Sequence, residues 1–195
     1  YGHAVIKLEK MEEGFGYEFV NAIVGGVVPK EYIPSIDKGI QEALNTAVIA
    51  GFPVLDVKVT LFDGSYHEVD SSEMAFKTAA IQAFKKGFME ASPVLLEPIV
   101  SMKITVDDKY TGDIMGDLNK RRGRVLGMNP DHKGHTIIEA DVPELEIYGY
   151  GTTLRSMTGG SGDFSYEFAR YEQAPSDIQA KEIEARASKV EKAEE

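Results

Sequence analysis

The chain has 195 residues, no cysteine and a formal net charge of −11, with 43% hydrophobic and 27% charged residues. That length fits one large or two ordinary domains able to bury a core unaided, and the missing thiols exclude disulfides, thiolate zinc sites and a cysteine nucleophile. No run of about 18 apolar residues could span a bilayer, no basic-then-apolar leader marks secretion, and the acidic average field repels a polyanion, so nucleic-acid contact requires local basic clusters or shape.

Ala4, Ile6 and Leu8 alternate with Val5, Lys7 and Glu9, the period of a strand. Nothing caps or leads into it, which reads as a start inside a larger protein. Tyr17-Glu18-Phe19 continues as a second strand punctuated by Gly25-Gly26. Pro34 suits a first helical turn, and Ile36, Ile40, Leu44 and Ala47 follow at helical spacing to about Ala50. Val57, Val59 and Leu61 form the buried side of a strand running to about Phe62. Asp63-Gly64 is expected to turn the chain into a polar loop, and Asp70 with Glu73 has capping-box spacing before a helix carrying Phe76, Ala80, Phe84 and Phe88. Ser92-Pro93 closes this half.

The second half opens with a strand whose buried side is Val100, Met102, Ile104 and Val106. Thr111 is placed to cap a helix bearing Ile114, Met115 and Leu118, with Gly123 at the C′ position. Val125-Leu126 and Thr136 to Ala140 read as strands joined through an Asn129-Pro130 turn. A helix from Leu145 to Met157 carries Gly149 and Gly151 at a cost of about 1 kcal/mol each, Gly159-Gly160 stop it, and Phe164, Tyr166 and Phe168 mark a last strand. The order β-α-β-β-α-β is that of a ferredoxin-like domain. After Pro175 comes an acidic tail of helical composition, whose thin stripe of Ile178, Ile183 and Val190 predicts fraying at its end.

Three clusters carry chemistry. Ser65-Tyr66-His67-Glu68-Val69-Asp70 sets an imidazole between an aromatic and carboxylates, and reads as a solvated turn, a recognition tip, or a general base oriented by Glu68 or Asp70. Lys120-Arg121-Arg122-Gly123-Arg124 is the compact basic cluster. One or two of these cations offset a helix dipole, and the excess points equally to a phosphate-facing patch that Arg155 could join. His132 and His135 with Asp131 fall short of a closed metal set. Gly159-Gly160-Ser161-Gly162 follows a helix rather than leading into one, so it is not a P-loop.

Two stretches are more specific. Gly64 to Glu73 followed by Met74-Ala75-Phe76-Lys77 resembles the fourth domain of elongation factor G, and Gly116 to Gly123 with Leu154-Arg155-Ser156-Met157-Thr158 resembles its fifth. Val27 to Pro34 and Pro93 to Ile99 extend the likeness, which runs in order over residues 1 to about 175. The resemblance implies an α+β fragment: a partial ribosomal-protein-like βαβα arm domain over 1–92, a ferredoxin-like βαββαβ domain over 93–174, and an acidic helical tail over 175–195.

It further implies a ribosome-binding, cytoplasmic, monomeric part of a GTP-dependent translocase without membrane contact. The arm would enter the small-subunit decoding site and displace the tRNA–mRNA module, touching RNA through Ser65, Tyr66, His67, Glu68 and Asp70. The second domain would meet the sarcin–ricin loop and stalk base of the large subunit through Lys120, Arg121, Arg122, Arg124 and Arg155. Neither part would hold a cofactor, a metal or a catalytic residue; GTP and Mg are expected in an N-terminal domain of the parent.

The chain departs from the family's pattern in three ways. Family members begin the arm with a strand and a Gly/Arg-rich loop ahead of Tyr1, usually carry Arg near Ser161, and usually have Ala at the position of Gly151. A paralogue specialised in ribosome recycling and a freestanding acid–base enzyme using His67 are the alternative readings.

Overall fold

A computed structural model describes residues 1–46, 49 and 51–194. The chain is a mixed α+β protein with two sheets and divides into two units, Tyr1–Pro93 together with Ser176–Glu195, and Val94–Pro175.

In the first unit, β1 (His3–Lys10), β3 (Val57–Ser65) and β2 (Tyr17–Asn21) lie side by side in that order, β1 antiparallel and β2 parallel to the central β3. A parallel pair needs a long crossover, and α1 (Ile33–Thr46) supplies it. Val57, Val59 and Leu61 of β3 bury against Ile36, Ile40, Ala43 and Leu44 of α1 and against Phe76, Ala80 and Phe84 of α2 (Glu73–Glu90), as their spacing predicts. Tyr32 stacks on Phe76 with ring centroids 4.7 Å apart. The expected end of α1, at Ala47 to Ala50, lies outside the described residues apart from Ile49. Helix α5 (Ser176–Glu194) groups with this unit. Arg186 donates to the Gly51 carbonyl at 3.4 Å and its guanidinium sits 5.1 Å over the Phe52 ring. The side chain of Val190, expected in the apolar stripe, is outside the described residues.

Two local expectations are corrected here. Asp63-Gly64 is not a turn: after a bulge at Phe62, β3 runs on to Ser65, with Gly64 opposite Ala4 and Ser65 opposite His3. A Cβ on Gly64 would stand 2.3 Å from the His3 carbonyl oxygen and 2.6 Å from Val28 Cγ2, so the strand continues because no side chain is there. Gly64→Ala is therefore expected to destabilise the first unit by about 1–3 kcal/mol, read as a lower urea midpoint; an unchanged midpoint would show that β1 yields freely. The helix cap is Ser72, whose Oγ accepts from the Ala75 N–H at 3.0 Å, rather than Asp70. The Ser72 hydroxyl is closer to the first helical turn, where it meets an otherwise orphaned donor.

In the second unit, β4 (Leu96–Asp107), β5 (Arg124–Pro130), β6 (His135–Pro143) and β7 (Asp163–Gln173) form an antiparallel sheet in the order β5-β6-β4-β7, the ferredoxin-like arrangement. Val100, Met102, Ile104, Val106, Ile138, Ala140 and Val142 bury one face beneath Ile114 and Leu118 of α3 (Thr111–Lys120) and Tyr150 and Leu154 of α4 (Tyr150–Thr158). Each large aliphatic side chain among them contributes about 1.5–3 kcal/mol.

Boundaries again differ from expectation. Helix α4 starts at Tyr150 rather than Leu145, because Glu144–Glu146 forms a 3-10 turn and Gly149 stands at the cap with φ 70°, where glycine suits the backbone. Thr111 opens α3 but does not cap it; its hydroxyl donates to the Asp108 carbonyl at 2.9 Å. Pro130 is still paired, with Thr136, so the hairpin turns at 131–134. There the Asp131 carboxylate accepts from the Lys133 and His135 N–H groups at 2.7 and 3.1 Å. Those bonds, Lys133's foremost, hold its carboxyl below the usual range. No helix among the described residues is long and apolar enough to cross a membrane.

Candidate functional site

The loop between β3 and α2 is organised around His67. Its N–H donates to Ser71 Oγ at 2.8 Å, the Ser71 N–H returns to the His67 carbonyl at 3.1 Å, and Ser71 Oγ donates to the Tyr1 carbonyl at 2.7 Å. The Tyr1 nitrogen donates in turn to the Asp70 carbonyl. These bonds tie the loop to the first residue of the chain. Ser65 is at its root, with Oγ 2.8 Å from the Tyr1 hydroxyl and 2.9 Å from His3 Nδ1. Tyr66, Glu68 and Asp70 are exposed, and the His67 side chain is 56% accessible to solvent.

The ring is held in one tautomer. The Val69 and Asp70 N–H groups point at His67 Nδ1 from 3.3 and 3.2 Å, so that nitrogen accepts and the ring proton sits on Nε2. An Asp70 carboxylate oxygen also lies 3.3 Å from Nδ1. A nitrogen accepting from two amides cannot donate to a carboxylate as well, so the Asp70 contact is not a hydrogen bond from the ring. The imidazole, with 56% of its side chain in solvent, thus keeps an Nε2–H that has no partner among the described residues. As a general base it would have to give up its anchoring first, which weighs against the acid–base reading.

In the second unit the basic cluster divides into two kinds of residue. Arg121 is turned inward: Nε meets Asp117 Oδ2 at 2.9 Å, Nη1 donates to the Glu146 carbonyl at 2.6 Å, and the guanidinium lies 5.0 Å over the Tyr150 ring. Arg122 grips the buried Glu97 through Nη1 at 2.8 Å and Nη2 at 3.3 Å, and Glu146 through Nε at 3.0 Å. Arg122, at φ 57°, also takes the left-handed C′ position expected of Gly123. Its N–H bonds the Asn119 carbonyl and the Gly123 N–H bonds the Leu118 carbonyl, a complete Schellman closure. Gly123 is needed instead for room, since a Cβ would meet the Leu118 oxygen at 2.9 Å.

Lys120, Arg124 and Arg155 are exposed. Arg124 makes a long 3.5 Å contact with Asp141 and keeps 67% of its side chain in solvent. Lys120 and Arg155 make no ion pair among the described residues. Arg155 borders a shallow depression with Tyr148, Tyr150, Phe164 and Tyr166. His135 sits between Asp107 at 3.2 Å and Asp131 at 3.3 Å. Among the described residues no group of three or more His, Cys, Asp or Glu side chains is arranged to hold a metal.

Two family models match this chain, elongation factor G domain IV over residues 1–92 and the elongation factor G C-terminus over residues 94–182. The chain belongs to the elongation factor G family. It is similar to a crystal structure of a protein from Thermus thermophilus at 41% identity and a TM-score of 0.82, over 96% of this chain and 28% of that one. The chain therefore spans under a third of the solved chain it matches. The two elongation factor G domains present are not the GTPase domain.

Sequence reasoning missed the acidic partners Glu97, Asp117, Asp141 and Glu146, and Arg170, which bonds Asp141 at 2.8 Å. Asp117 could have been found, because a carboxylate four residues before an arginine on a helix is a standard pair. Glu97 could not, being 25 positions from Arg122 in the sequence.

Proposed function

We propose that this chain is the ribosome-engaging part of a translation elongation factor that promotes GTP-dependent movement of tRNA and mRNA. The first unit is the arm, which enters the small-subunit decoding site and holds the space that the tRNA–mRNA module leaves. The second unit docks on the large subunit at the sarcin–ricin loop and stalk base. The observation that carries the reading is the solvent-exposed His67 imidazole, anchored through Nδ1 on the loop that follows β3. Stacking and edge hydrogen bonds from such a group suit unpaired RNA rather than a duplex. GTP and Mg belong, in this reading, to a domain outside these two.

The large-subunit contact rests on Lys120, Arg124 and Arg155, since Arg121 and Arg122 are committed to carboxylates and carbonyls of their own unit. Changing those three to Gln is expected to weaken ribosome binding and to flatten the slope of log K against log salt by about one unit per lost phosphate contact. Binding measured across a salt series checks this, and an unchanged slope would remove the three from the interface. The reading as a whole is tested by co-sedimentation of the chain with ribosomes at low salt; a chain left in the supernatant refutes it.

A further inference from the structure

The His67 loop is not the only segment at its end of the first sheet. β2 and β3 are parallel neighbours with Asn21 opposite Leu61, so the chain leaves both strands at the same end. The Ala22 N–H donates to the Leu61 carbonyl at 2.8 Å, and Val28 lies against Gly64, which keeps the returning segment beside the last residues of β3. Ile23 packs on the core, with its N–H bonded to Asn21 Oδ1 at 3.1 Å, and Val28 is 1% exposed. Pinned on both sides, Val24-Gly25-Gly26-Val27 projects between them.

At its apex Val24 is 80% exposed, and on the neighbouring loop Val69 is 83% exposed. Gly25 and Gly26 have φ 71° and 66°, two successive left-handed residues that other side chains would strain, and nothing approaches within 4 Å of where their Cβ atoms would be. The result is a bare backbone apex beside an apolar side chain.

Charge selects what this apex can touch. Residues 22–29 carry no ionisable side chain and the exposed Lys30 follows them, while the adjoining loop carries Asp63, Glu68, Asp70 and Glu73 with no Lys or Arg among residues 62–76, so the local balance is acidic. Phosphate is repelled there. Base and ribose faces of unpaired RNA offer apolar surface and neutral hydrogen-bonding edges instead.

We infer that Val24–Val27 is a second RNA-contacting lip beside the His67 loop, packing on bases and riboses rather than on phosphates. This rests on the reading of the first unit as the arm that enters the ribosome.

The chain has no cysteine, so Val24→Cys gives a single attachment point for a photo-crosslinker. With isolated small ribosomal subunits as the probe, crosslinks to the subunit's RNA are expected. Crosslinks to ribosomal proteins alone, or none from a chain that still binds, overturn the lip. Val24→Ser is expected to weaken binding to the same subunits roughly three- to tenfold, with an unchanged unfolding midpoint and an unchanged salt slope. A changed slope would mean a phosphate contact and also overturns it. His67→Ala, measured alongside, separates the two ideas. Weakening by His67→Ala with none by Val24→Ser removes the lip and leaves the arm, whereas no weakening by either removes both.

Discussion

Arg122→Met is expected to destabilise the second unit by about 3–5 kcal/mol, enough to lower its melting midpoint by roughly 15 °C or more. The Glu97 side chain is 4% exposed and takes both terminal nitrogens of Arg122. Burial works against the guanidinium charge, but the bonds from Glu97 and Glu146 outweigh it and raise the Arg122 pKa above its ordinary value. Methionine fills much of the space and leaves the carboxylate stranded in a poorly solvated site. Its backbone stays at the same left-handed φ, so the conformational cost is unchanged and the loss reports the pair. Arg122→Met combined with Glu97→Leu should recover most of the stability, because removing both charges also removes the desolvation penalty. Hydrogen exchange of the β4–β7 amides reads this unit directly. Equal protection in the single and double variants would show that the pair is not what supports it.

The second large effect concerns the tip. In a full-length factor carrying this chain, His67→Ala should slow single-round translocation about ten- to a hundredfold, the consequence of losing roughly 1–3 kcal/mol of ring contact with RNA, while GTP hydrolysis keeps its rate. His67→Asn refines the test. An Asn carbonyl oxygen can take the place of Nδ1 as acceptor for the Val69 and Asp70 amides, preserving the loop, but it offers no ring and no Nε2–H. Translocation should therefore stay slow in His67→Asn. If that variant runs at the original rate, the imidazole serves the loop's shape and does not touch RNA.

The elements themselves were legible from periodicity, because Val57, Val59 and Leu61 or Ile36, Ile40 and Leu44 declare their buried face locally. What failed were the positions decided by distant parts of the chain. Gly64 reads as a turn residue beside Asp63, yet the His3 carbonyl and Val28 decide that it belongs to a strand. Arg122 reads as one of four surface cations, yet a carboxylate on β4 turns it inward. Gly25-Gly26 reads as punctuation, and only the parallel pairing of β2 with β3 brings it beside the His67 loop. The polarity of that loop was plain from its residues, but the locked tautomer was not, since it depends on where the backbone aims two amides.

Helix α5 belongs with residues 1–93, although Val94–Pro175 intervenes along the polypeptide. Synthesis runs from the amino end, so the ferredoxin-like cassette can close while the arm still awaits its final helix. The first unit is thus completed only after the whole of Val94–Pro175 has been made. A proteolytic cut near Pro175 would spare the cassette and leave the arm without the Arg186 contacts to Gly51 and Phe52.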